Sequence, residues 1–221
     1  PELLNVIGKY GDRAADFILH TQRSDGSWPG ERIISSICNT SYALLVLSRG
    51  RAPVVLQKLQ AGERWNNRPR DAAQLARWVG RQTERHVNWQ IISADADPDE
   101  LRESPILYMA SDAALVLDDA QQARIRQFIE EGGILLCVNE PATRPPTTAF
   151  ADSAEAMALA MFPRYQFRPL PPDHLIYNLN FPATAAAREI RSMSNGVREL
   201  VIVVRSDDLS ARWQRGPIDD P

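Results

Sequence analysis

The sequence predicts an α/β protein with a mostly parallel sheet, helices on both faces, and a small all-α segment in front. Three observations point there. Asp118–Glu140 reads as a complete helix, a glycine stop and a buried strand. From Pro53 onward strand and helix signals alternate, whereas the first fifty or so residues carry helical periodicity alone. Repeated β–α–β connections give parallel strands with right-handed crossovers and helices on both sides.

The Asp118 unit is the clearest. Asp118 and Gln121 have the spacing of a capping box. Ile125, Phe128 and Ile129 fall on one helical face. Gly132-Gly133 supplies the left-handed stop, and Ile134–Val138 is apolar without alternation, as in a strand covered on both faces. Around it, Val54–Leu59, Asn88–Ser93, Ile106–Ala110 and Leu200–Val204 read as strands, with Pro105 tolerated at a strand start. Asp71 with Gln74, and Asp152 with Glu155, repeat the capping-box spacing. Leu75, Trp78 and Val79 continue the first of these helices. Ala154, Met157, Ala158, Met161 and Phe162 form a stripe expected to be core, ended by Pro163. Pro98–Glu103 is a short helical turn, and Pro169–Pro172 a rigid loop.

Ahead of this part, Leu3, Leu4 and Ile7 open one amphipathic helix, which Ala14, Phe17 and Ile18 extend, and Ser36–Leu47 forms another with Tyr42, Leu45 and Val46 on one face. So few helices cannot bury these faces alone, so they are expected to pack on the α/β part, burying Tyr42, Leu45 and the first leucines. Gly50 and Pro53 mark the boundary. The expected division is a helical segment over 1–52, an α/β domain over 53–215 and a loose tail over 216–221.

Composition excludes several classes. The chain has 221 residues, 44% hydrophobic and 24% charged, with a formal net charge of -3. That balance argues against nucleic-acid binding by phosphate neutralisation. No apolar run nears the roughly 20 residues of a membrane span. Cys38 and Cys137 are too few for a disulfide framework and are expected to be free, buried thiols. The start at Pro1 suggests an internal piece of a longer protein, leaving the compartment unknown.

Two resemblances add to this. Phe17–Gln22 followed by Asp25-Gly-Ser-Trp28, with Thr40–Leu47, resembles the glutamine–tryptophan repeat of terpene cyclases and the α/α toroid shared with protein prenyltransferase β subunits. The resemblance implies that Gln22 and Trp28 tie helices together. The acid motif of the cyclases and the zinc signature of the prenyltransferases are missing, so the segment is expected to be non-catalytic. Further on, Trp65-Asn-Asn67, Pro105–Met109, Phe128–Gly133, Met161–Pro163, Leu170–His174 and Ser206–Leu209 follow, in order, the pattern of a bacterial family of unknown function. That family is similar to flavodoxin-like domains related to class I glutamine amidotransferases, which implies a three-layer flavodoxin-like fold behind a toroid-like region in a multidomain protein, with an expected lean toward the cell envelope. Where many of its members carry an acidic run after the Gly-Gly strand, this chain has Cys137-Val-Asn-Glu140.

In open α/β sheets ligands bind beyond the carboxyl ends of the strands. The ligand-binding candidates are therefore Ser111, Asp112, Asn139, Glu140, Asp207 and Asp208. Glu140, Asp112 and Asp208 could form a metal or acid–base cluster there, but carboxylates at strand ends more often cap helices. Cys137 and His174 are weak catalytic candidates. Cys137 lies inside a strand with no small residues after it for a nucleophile elbow, and His174 is expected to fix its loop rather than act as a base. No phosphate-binding glycine loop, cofactor motif or metal signature is present. The expected function is a non-catalytic binding or interaction module for a small ligand or protein partner, with a hydrolase- or amidase-like enzyme as the alternative. Limited proteolysis is expected to cut first near Arg49 or Arg51; first cuts between Arg124 and Cys137 would refute the division.

Overall fold

The computed structural model describes residues 15–49, 52–141, 147–177 and 189–216. Leu3, Leu4, Ile7, Ala14, the boundary at Gly50 and Arg51, and the tail from 217 to 221 lie outside the described residues. Helix α1 spans Ile33–Arg49. The α/β part then runs β1 (Val54–Gln60), α2 (Asp71–Gln82), β2 (Asn88–Ser93), α3 (Pro98–Leu101), β3 (Ile106–Ser111), α4 (Asp119–Glu130), β4 (Ile134–Asn139), α5 (Ala149–Met161), β5 (Phe167–Pro169), β6 (Ile190–Ser194), β7 (Glu199–Val204) and α6 (Leu209–Gln214).

One seven-stranded sheet has the order β2-β1-β3-β4-β7-β6-β5. The pairs β1–β2, β1–β3, β3–β4 and β4–β7 are parallel, so the sheet is mostly parallel as the alternation predicts. Strand β6 runs antiparallel to both β5 and β7. Sequence periodicity missed β5 and β6, because three residues ending in Pro169 and a strand containing Arg191 and two serines carry little apolar signal.

Side chains alternate across the strands, and the two faces build two cores. Leu107 and Met109 of β3, with Leu135 and Cys137 of β4, pack toward α4 and α5. Tyr108, Ala110 and Val138 pack toward α2 and α6. The Ala154–Phe162 stripe is buried as expected. Helix α4 has the predicted capping box, with Asp118 accepting from the Gln121 N–H. It ends in a Schellman motif, Gly133 N–H to Phe128 O and Gly132 N–H to Ile129 O, with Gly132 at φ 119°. Gly133 has a second reason to be glycine: a Cβ there would lie 2.2 Å from the Phe128 ring.

The other two capping boxes are corrected. Asp71 is the first residue of α2, not its cap, and Arg70 at the cap position makes no side-chain capping bond. Asp152 lies inside α5, which begins one turn earlier behind Thr148. Asp152 and Glu155 instead receive Arg205, at 2.5 and 2.6 Å.

The expected burial of the first helical segment is also corrected. Tyr42 is 69% exposed and Leu45 49%, with Phe17, Ile34 and Ile37 still more or similarly open. These apolar side chains do not pack on the α/β part, whose own faces are already filled by α2 to α6. Within the segment, Trp28 is buried and gathers the chain: its indole N–H reaches Ile18 O at 2.6 Å, and its backbone bonds to Thr40 and Ser36. Gln22 reaches Gly26 O at 2.9 Å.

Both cysteines are free; Cys137 is fully buried, but Cys38 is exposed, contrary to expectation, because it lies on the same open face of α1. A thiol reagent should therefore label one cysteine in the native protein and two in denaturant. Labelling of both without denaturant would contradict the burial of Cys137.

Candidate functional site at the carboxyl edge of the sheet

The strand order reverses beside β1: the chain goes from β1 to β2 on one side and returns to β3 on the other. The loops leaving β1 and β3 therefore diverge toward opposite layers, the arrangement that in open α/β sheets leaves a crevice beyond the carboxyl ends of the strands. The β1 loop, residues 61–70, is fixed by a charge inside the sheet. Lys58 of β1 is 1% exposed. Its ammonium bonds Asp71 at 2.7 and 2.8 Å, Asn66 Oδ1 at 3.1 Å and Arg68 O at 2.8 Å. Three N–H groups meet three residues, so none is left unpaired. Asp71 also accepts from the Tyr108 hydroxyl at 2.7 Å and from the Ala72 N–H. Burial, and then the Asp71 charge, push the Tyr108 hydroxyl far above its ordinary range.

Pinned this way, the loop sends Arg64, Asn67 and Arg68 across the crevice. The Asn67 amide donates to Asp112 Oδ1 at 2.9 Å and to Glu140 Oε2 at 3.0 Å. Arg64 pairs with Asp112. Arg68 meets Asp208 at 3.0 Å. Ser210 Oγ lies 2.6 Å from both Glu140 Oε1 and Asp208 Oδ1. Asp208 also caps α6 through the Ala211 N–H at 2.8 Å. Burial raises the Glu140 carboxyl above its ordinary value, opposed by the Ser210 and Asn67 bonds. For Arg68, burial works against the charge, but the bond and charge of Asp208 outweigh it and raise the guanidinium.

Of the six ligand-binding candidates, Asp112, Glu140 and Asp208 come together. The other three do not join them. Ser111 and Asn139 stand opposite each other in register. By strand alternation their side chains face the α5 side of the sheet, where Asn139 braces Thr147 O at 2.8 Å and Ser111 accepts from the Ala113 N–H. Asp207 pairs with Arg212 at 3.2 Å.

The catalytic candidates are kept apart. Cys137 is sealed between β3 and β7, and burial pushes its thiol well up, away from the thiolate. His174 accepts the Ile176 N–H at 3.2 Å and lies 3.7 Å from Glu199, the first residue of β7. That is the amino edge of the parallel strands, opposite the cluster. Among the described residues no group of three or more His, Cys, Asp or Glu could hold a metal ion.

Lys58, Arg64, Asn67, Arg68, Asp71, Tyr108 and Ser210 are not site candidates in the sequence reading, although Asp71 stands there as an expected helix cap. One signal was there: a lysine inside the strand Val54–Leu59 is a charge where a buried strand has none to spare. Trp65-Asn-Asn67 was visible as a motif but not as a site.

The molecule is thus a doubly wound α/β domain with a polar cluster at its switch point. Residues 55–220 match the family described as Domain of unknown function (DUF4159), and the chain belongs to that family. No curated protein matches it.

Lys58→Met should destabilise the fold by about 3–5 kcal/mol, because it leaves the Asp71 charge buried and uncompensated. Urea denaturation checks this; a loss below about 1 kcal/mol would mean that the pair does not hold the loop.

Proposed function

We propose that the chain is a non-catalytic binding or interaction module of a larger multidomain bacterial protein. It takes a small polar ligand or a partner loop at the carboxyl edge, in the crevice between β1 and β3. The supporting observation is the convergence of Asn67, Asp112, Glu140, Asp208 and Ser210 from separate strand ends and loops. Arg64, its side chain 58% exposed, supplies the outward-facing charge, paired with an Asp112 side chain that is only 7% exposed. Ser111, Asn139 and Asp207 each precede one of its carboxylates in the chain and hold those strand ends through bonds made away from the cluster.

The alternative is a hydrolase- or amidase-like enzyme at the same edge. What favours it is the buried Glu140 carboxyl, raised in the direction a general acid requires. The burial of Cys137 and the position of His174 at the other edge weigh against it.

We further propose the flavodoxin-like, class I glutamine amidotransferase-like relationship, supported by the β2-β1-β3-β4 order. The toroid-like nature of the first segment, and its division from the α/β domain near residue 52, are supported by the Trp28 tie between its helices and by its open apolar face. A place in the bacterial cell envelope fits such a multidomain arrangement. Among the described residues no helix is long and apolar enough to cross a membrane.

The test assays the parent, Cys137→Ser and His174→Ala for glutaminase, amidase and esterase turnover, followed by a thermal-shift ligand screen. The parent should be inert. Asp112→Asn and Asn67→Ala should weaken any hit about tenfold or more, the worth of a hydrogen bond to a charged group. Turnover that either of the first two changes abolishes in a folded protein would overturn the binding module.

A further inference from the structure

Ser210 Oγ has one hydrogen but lies 2.6 Å from two carboxylate oxygens, Glu140 Oε1 and Asp208 Oδ1. It can donate to one of them only. If both were ionised, the other contact would set a hydroxyl lone pair against a carboxylate oxygen at hydrogen-bond distance. A second proton, held on one carboxyl, removes that conflict.

The surroundings decide which. Asp208 receives the Arg68 guanidinium at 3.0 Å and the Ala211 N–H at 2.8 Å, and its side chain is 20% exposed. Its charge is compensated. Glu140 is 1% exposed, and its only described donor besides Ser210 is the neutral Asn67 amide. The remaining charged and titratable groups that act on it are Asp208, Arg68, Asp112 through the shared Asn67, and the neutral Tyr108 on β3 beneath. Among the described residues, no cation bonds Glu140 directly.

We propose that Glu140 is an uncharged carboxylic acid in the folded protein at neutral pH, donating its proton to Ser210 Oγ while Ser210 donates to Asp208. Every group then has a consistent direction. Asn67 gives one N–H to Asp112 and one to the Glu140 carbonyl oxygen, Glu140 gives its O–H to Ser210, and Ser210 and Arg68 give theirs to Asp208. The cluster is a one-way relay with a proton stored at its buried end. Resting on the binding site proposed above, this makes the edge proton-linked: an occupant that draws on Glu140 meets an acid, not an anion.

Infrared spectra of the full chain at about pH 7 test the stored proton independently of any ligand. The parent should show the carbonyl stretch of a protonated carboxyl, and Glu140→Gln should lose it. Asp208→Asn frees the Ser210 hydrogen for Glu140 and removes a neighbouring negative charge, so the band should weaken at the same pH. Because Glu140 is raised in the folded state, its stabilising share is full below the unfolded carboxyl value and is lost as pH rises through the folded value. As pH rises from the unfolded carboxyl range, the parent should therefore lose urea stability more steeply than Glu140→Gln. If Glu140→Gln fails to fold, the parent band alone decides, since it should titrate away with rising pH while the fold persists. No such band in the parent above about pH 5 would overturn the proposal, whatever the ligand screen finds.

Discussion

The ion pair of Lys58 and Asp71 carries the architecture of the edge. A lysine in the middle of β1 faces the α2 layer among apolar neighbours, where an unpaired charge would be prohibitively costly. The cost is met by complete pairing: carboxylate, side-chain amide and backbone carbonyl receive its three N–H groups. Two of those partners belong to the β1 loop and one opens α2. A single buried cation thus fixes where the loop turns, where the helix begins and which side chains reach the crevice. Tyr108 closes the arrangement from β3, under the edge of the Trp213 ring at 5.7 Å, and so links α6 to the same centre.

How much could be read beforehand follows from which forces act locally. The α4–β4 unit was legible in full because its cap, its apolar face and its glycine stop are all encoded within a few residues of where they act. Asp71 shows the opposite case. Its spacing to Gln74 fits a cap, but a partner thirteen residues upstream claims the carboxylate for the interior. The same holds for Asp152 and Glu155, taken by Arg205 just past the end of β7. Short-range rules describe the competition for a polar group only when no long-range partner offers more. For the site, the edge principle located Asp112, Glu140 and Asp208. Periodicity of two then separated them from Ser111 and Asn139, their immediate neighbours in sequence, which point to the other side of the sheet.

The polar groups at the two ends of the sheet differ in kind. At the carboxyl edge, bonds run between separate loops and cross the crevice. At the amino edge, Arg168 and His174 gather around Glu199, with Arg168 bonding it at 2.6 Å. Those contacts join β5 and its following turn to β7 and close the antiparallel corner. One end ties the sheet's late strands together; the other ties separate loops to one another across the strand ends.

The three-residue β5 has a consequence for how copies of the molecule can meet. An outermost strand offers a row of unpaired N–H and carbonyl groups on which another chain can build. On the β5 side that row is too short to register a partner, and Pro169 removes one of its donors. The opposite border, β2, is six residues long and contains no proline. Among the described residues, the β5 margin is therefore poorly suited to strand addition, and the longer, proline-free β2 margin is the one that fits it.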